Sequence, residues 1–345
     1  MGKNIHGGDI YRHKNVTDYS SNCNPFGAPE GVVQAICRAA SEINHYPDVN
    51  ASELREALAN HLNIPENRIF FGNGAAEVIL DIVFALKPRR ALLTAPTFAE
   101  YGEALEAADC EIEYYRLYEE KGFVISEDIL DAIDEDLDIM FICNPNNPTG
   151  VLTERALIER VAEKCREKDV VLVVDECFMD FIDGREKYSV TDKLEEYDNV
   201  IILKAFTKLY AMAGVRLGYC LCANPEIMEA LDRVRQPWNL SNLAQAAGVA
   251  ALKEKQYVEE SLAVIEAERI RLIKSLKSLG FTVCGSGANY IFFKGDADLY
   301  EKALERGILI RDCSNYVGLE KGYYRIAVRL QEDNDRIIKV FDEII

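Results

Sequence analysis

Residues 204–219 read KAFTKLYAMAGVRLGY. Lys208 falls between an apolar run, Val200 to Leu203, and a small-residue stretch, Ala211 to Gly214; Arg216 comes eight residues later and leads into a second strand-like run, Leu217 to Cys222. This layout puts a primary amine on a turn between two buried strands, with a fixed cation beside it. Such a pair suits a carbonyl cofactor that carries a phosphate. The amine can condense with the carbonyl, and the guanidinium can grip the phosphate with a fork of donors. Taken alone, a lysine in a loop is an ordinary surface group, so the reading depends on the rest of the chain.

Composition narrows the class. The chain has 345 residues, 49% of them apolar, enough for a sizeable core divided between two lobes. Acidic residues outnumber basic ones, 58 to 39, for a net charge of −19. That balance disfavours nucleic acid and anionic membrane as partners. No apolar run approaches the ~18 residues needed to span a bilayer, and the start, MGKNIHGGDIYRHKN, lacks an apolar core of signal-peptide length. The ten cysteines are scattered without a C-x-x-C pair, the pattern of reduced thiols in a cytoplasmic protein. The four histidines (His6, His13, His45 and His61) lie in the first fifth of the chain without matching cysteines, so no zinc site is expected.

Outward from the lysine, apolar runs at 69–71, 91–94, 111–115, 138–142, 170–174, 200–203 and 217–222 read as strands. Helical periods lie between most of them, at 76–86, 98–107, 127–133, 154–168 and 225–233. Alternation of this kind predicts an α/β fold with a mostly parallel central sheet covered on both faces. Before it, helices are expected at 30–43 and 52–62, the second with Asn50 and Glu53 as a capping pair. After Trp238 the rhythm changes: one helical stretch over 241–278, short strands at 281–284, 289–294, 308–310 and 323–328, and a closing helix at 332–343. This predicts a large domain over 30–238 and a smaller α+β domain built from 1–29 and 239–345.

Asp175 ends the run VVLVV, and ligands of α/β sheets sit at the carboxyl ends of strands. A carboxylate there can pair with a protonated ring nitrogen, or it can simply cap a turn. Asn147, in NPNNPTG, is held extended by Pro148 and can reach a ring hydroxyl. Gly74, Ala75 and Ala76 open a helix after a strand and offer bare N–H groups to an anion. That turn, GNGAAE, lacks the third glycine of a dinucleotide-binding loop, which argues against a dehydrogenase. Tyr101 can stack on a ring or simply belong to the core, and Tyr46 can reach a phosphate or pack in a surface turn. Arg311, Arg325 and His6 would cradle an anion if the fold brought them together.

Together these strings resemble the class I/II aminotransferase family of fold-type I pyridoxal-phosphate (PLP) enzymes, nearly end to end. The general motifs are NPNNPTG and the 204–219 stretch. Within the family, HGGDI at 6–10, DECFMDF at 175–181 and LIRDCSNYVGL with YYRIAVR come nearest to the decarboxylases of threonine phosphate that serve cobalamin assembly, and next to the histidinol-phosphate aminotransferases. The resemblance implies that Lys208 holds PLP as an imine until the substrate amine displaces it. It assigns Asp175 to the ring nitrogen, Asn147 to the ring hydroxyl and Tyr101 to ring stacking. Gly74, Ala75, Ala76, Thr207 and Arg216 would bind the cofactor phosphate, helped by Tyr46 of a second subunit in a homodimer. Arg325, Arg311 and His6 would bind a small phosphorylated amino-acid substrate. The sequence departs from the family pattern at three positions: Phe178 where aminotransferases carry Tyr, Ala205 where Ser or Thr meets the phosphate, and Ser241 where the decarboxylase string has Asn.

Overall fold

The structure, a computed structural model, describes residues 6–345. The chain opens with strand β1 (Thr17–Asp18) and helices α1 (Glu30–Ala39) and α2 (Ser52–Leu62). It then alternates through β2 (Ile69–Gly72), α3 (Ala75–Leu86), β3 (Arg90–Ala95), α4 (Ala99–Ala107), β4 (Glu111–Arg116), β5 (Ile139–Cys143), α5 (Arg155–Glu167) and β6 (Val171–Asp175). Next come β7 (Val200–Ala205), the single turn α6 (Phe206–Leu209), β8 (Gly218–Cys222), α7 (Pro225–Val234), α8 (Asn242–Ala251) and α9 (Lys255–Ser278). The remainder is β9 (Thr282–Gly285), β10 (Tyr290–Lys294), α10 (Leu299–Glu305), β11 (Ile308–Leu309), β12 (Arg311–Asp312), β13 (Tyr323–Ala327) and α11 (Gln331–Ile344).

Seven strands form the central sheet in the order β2-β8-β7-β6-β5-β3-β4. Only β8 runs against its neighbours, so the sheet is mostly parallel. Successive residues of the inner strands feed opposite cores, as a strand's period of two requires. Leu172 and Val174 join the core that contains Ile158 and Val161 of α5, whereas Val173 joins the one that contains Val78 and Ile82 of α3. Apolar side chains at every position of β6 before its last are the consequence of that double burial. A separate four-stranded antiparallel sheet, β12-β13-β10-β9, packs with α9, which also meets α11. β1 pairs with β11, which ties the start of the chain to this second sheet's neighbourhood.

Three expectations need correction. Asn50 does not cap α2. The preceding residue, Ala51, is left-handed with φ 49°, and the Asp48 carboxylate takes the N–H groups of Asn50 and Ser52 instead. The helix expected at 127–133 is a short 3₁₀ segment, Glu127–Ala132, too brief to settle into α geometry. The stretch 241–278 is two helices, broken at 252–254. α8 packs on α1 and α2 while α9 meets β9, β10 and α11, so the chain must turn between the two tasks.

Candidate active site

The site lies at the carboxyl edge of the parallel strands, where loops can meet a ligand without breaking the sheet. β6 ends at Asp175, which is 5% exposed. One of its oxygens accepts the N–H of Cys177 at 2.9 Å, and the other accepts the hydroxyl of Tyr101. Burial is the largest influence on Asp175 and holds its carboxyl above the usual range, against the pull of these donors and of Lys208. The carboxylate is therefore short of positive charge. Tyr101 is fully buried, and its ring lies on Phe141 with centroids 5.0 Å apart.

β7 delivers Lys208 through the single turn of α6, beside the buried Thr207. The Lys208 Nζ sits 5.6 Å from the centre of the Phe178 ring. Across the site, α3 begins at Ala75, with Gly74 at φ 86°. A helix start leaves its first N–H groups without intrahelical acceptors. Arg216, itself left-handed at φ 61°, lays its guanidinium against this start. A Cβ on Gly74 would lie 2.2 Å from Arg216 Nη2, and one on Gly218 would lie 2.3 Å from the nitrogen of Ala75. Both glycines are therefore needed to bring the cation and the helix start together, and the two form an anion cradle.

Asn147 is buried, and its amide oxygen accepts from Arg325 Nη1 and, at 3.4 Å, from the Tyr316 hydroxyl. With the oxygen committed, the amide nitrogen is left to donate. Arg325 also donates to the carbonyl of Ser20 at 2.8 Å, while its Nε has no partner among the described residues. Arg311 lies directly opposite Arg325 in the antiparallel pair of β12 and β13. Arg311 donates to Asn315 Oδ1 at 2.8 Å and rests over the Tyr316 ring. The two residues are 6% and 5% exposed, and among the described residues neither forms an ion pair. Like charges opposed across strands are unfavourable unless an anion balances them.

His6 is not drawn to these arginines. Its Nε2 is 3.4 Å from Glu100 on α4, and it is half exposed. Gly8 nonetheless donates to Ser20 Oγ at 2.7 Å, so the first described residues pass next to Arg325's acceptor. Tyr46 is 79% exposed and stacks on Trp238, away from any anion cradle of its own chain. Ser241, one of the departures, is the N-cap of α8, its hydroxyl accepting from Ala244. Sequence reasoning missed Tyr316, Ser20 and the fully buried Glu176. Tyr316 sits five residues after Arg311, a spacing that belongs to no periodic pattern. Glu176 stands directly after Asp175 and was hidden in its shadow.

Each group tests well against a phosphate-bearing pyridine aldehyde. The start of α3 at Gly74 and Ala75, with the Arg216 guanidinium against it, is suited to an anion. Asp175 forms no ion pair among the described residues, Asn147 has a donor to spare, and Lys208 supplies an amine. A seven-stranded sheet in this order, with the lysine just past β7, defines the class as fold-type I PLP enzymes. Residues 14–341 match the family described as aminotransferase class I and II. The chain is 36% identical to threonine-phosphate decarboxylase of Salmonella typhimurium, over 99% of this chain and 96% of that one. It is similar in structure to histidinol-phosphate aminotransferase from Clostridium acetobutylicum, with a TM-score of 0.88, 30% identity and coverage of 94% and 98% of the two chains. L-threonine-O-3-phosphate decarboxylase from Porphyromonas gingivalis gives a TM-score of 0.82 at 26% identity, again covering 94% and 98%. This chain belongs to the class I and II aminotransferase family and is a PLP-dependent enzyme.

Proposed function

We propose that this enzyme removes the carboxylate of a small O-phosphorylated amino acid, threonine phosphate first, and leaves the amine. The observation that carries the proposal is the buried, opposed pair Arg311 and Arg325, neither of which forms an ion pair among the described residues. A substrate bearing both phosphate and carboxylate would balance it. Bidentate capture of the departing carboxylate would stabilise the ground state and oppose its loss. Arg325 is already committed to Asn147 and Ser20, which favours Arg311 as the holder of the phosphate. Similarity to the Salmonella decarboxylase supports the same reading.

When bound, PLP supplies an aldehyde for an amine and a cationic ring that accepts an electron pair. The chain's own groups do the rest. Asp175 would hold a proton on the ring nitrogen, and Asn147 would donate to the ring hydroxyl. Tyr101 braces Asp175 through its hydroxyl and borders the ring. Gly74, Ala75, Ala76, Thr207 and Arg216 would hold the phosphate. Lys208 Nζ carries the proton that takes the place of the lost carboxylate. Amino transfer of the histidinol-phosphate type is the rival reading, favoured by similarity to the Clostridium structure. Threonine phosphate offered without a keto acid should release carbon dioxide. Transfer of its amino group to 2-oxoglutarate without release would assign the rival. Lys208→Ala should lower either turnover roughly 100- to 10,000-fold.

We further propose lobes of 30–238 and of 1–29 with 239–345, and a homodimer in which Tyr46 reaches the partner's phosphate cradle. Tyr46 and Trp238, stacked on each other and exposed, offer an apolar surface suited to such a contact. The ten free cysteines fit a cytoplasmic location.

A further inference from the structure

Asn147 and Arg311 stand on different parts of the molecule and serve different ligands in the reading above. Both touch Tyr316. The Arg311 guanidinium carbon is 5.1 Å from the centre of the Tyr316 ring, within cation–π range. The Tyr316 hydroxyl donates to Asn147 Oδ1 at 3.4 Å, the same oxygen that accepts from Arg325. The tyrosine has little freedom to leave. It is 7% exposed and packs in a cluster with Leu117, Phe123, Phe292 and Cys313. Its backbone is fixed at both sides, donating to Cys313 and accepting from Leu319. Burial also raises its phenol, so the hydroxyl remains a donor.

We infer that Tyr316 is a positioning residue that couples the substrate-anion site to the cofactor ring. Its ring holds Arg311 in place. Its hydroxyl and Arg325 together pin the Asn147 amide oxygen, which turns the amide nitrogen toward the ring hydroxyl. Two donors on one amide oxygen also polarise the amide and strengthen its N–H as a donor. A stronger donor to the ring oxygen favours the form of that oxygen that has lost its shared proton. An anion arriving at Arg311 thereby acts on the ring through a single side chain. This inference rests on the proposed roles of Asn147 and Arg311.

The test is an absorbance titration of the PLP-loaded enzyme against pH, with thermal unfolding measured in parallel. Tyr316→Phe keeps the ring under Arg311 and removes the hydroxyl. The midpoint of the visible band should rise by about 0.5 pH unit, roughly threefold in proton affinity, while KM stays within about twofold. Tyr316→Leu removes the ring as well, and KM should then rise roughly tenfold. A Tyr316→Phe midpoint equal to the parent's overturns the inference and leaves the functional reading standing. A parent enzyme with no visible band overturns both. If Tyr316→Leu does not fold, the Tyr316→Phe titration alone decides.

Discussion

Asp175 shows how a single residue is set by competing terms. Two donors and a nearby amine favour its charged form, yet burial outweighs them and raises its carboxyl. A raised folded value means that the native state holds the proton more tightly than the unfolded chain. Without cofactor, stability from this group is therefore present below about pH 4, the unfolded carboxyl value, and is lost as pH rises through the folded value. Asp175→Asn should raise the unfolding temperature of the cofactor-free protein at pH 8 and leave it unchanged at pH 3. In the loaded enzyme the same change should lower turnover on the order of 100-fold, since the cationic ring loses its partner. Opposite signs in the two assays separate a ligand-facing carboxylate from a merely structural one. Asp175, Lys208 and Asn147 were legible because each lies within a few residues of the end of an apolar run. Tyr316 was not, because its partners lie 169 residues away at Asn147 and five at Arg311.

At the scale of elements, the start of α3 does what no single side chain can. It sits where it does only because Gly74 leaves room for Arg216 and Gly218, on β8, leaves room for the helix start itself. Gly74→Ala would meet both a left-handed backbone and the guanidinium. It should weaken PLP retention roughly tenfold in equilibrium dialysis and destabilise the fold by about 1–3 kcal/mol. Behind the site, Glu176 joins the end of β6 to its surroundings. It is fully buried and accepts from Ser189 Oγ at 2.7 Å, Val190 N–H at 2.9 Å and Thr191 Oγ1 at 2.9 Å. Lys204, on β7, lies 3.7 Å from it and 3.2 Å from Asp180. This knot ties together the two strand ends that carry Asp175 and Lys208. Glu176→Ala would leave buried donors and a buried ammonium half-compensated and should cost about 3–5 kcal/mol in urea unfolding. The strands themselves were readable from their apolar runs. The break inside 241–278 was not, because helical periodicity continues through it and only the turn between two packing partners interrupts it.

At the scale of the molecule, the proposed dimer has a direct test. In the proposed dimer, Tyr46→Ala would weaken the partner's cradle, and Lys208→Ala would remove the amine from its own. Mixed chains should regain activity, since one site of each hybrid combines an intact Lys208 with an intact Tyr46. A mixture no more active than the sum of its parts would place Tyr46 outside the partner's site. The 38.9 kDa chain should sediment at twice that mass. By itself the sequence determined the alternating α/β layout, the site of the lysine, and the residues at strand ends. Those features are local, fixed by apolar period and by the few residues just past each strand. Only the tertiary structure decided which distant groups meet: Arg311 facing Arg325, Tyr316 between Arg311 and Asn147, and His6 on Glu100 rather than among the arginines. Strand register and the packing around the two larger sheets set those meetings, and neither is written in the spacing of residues along the chain.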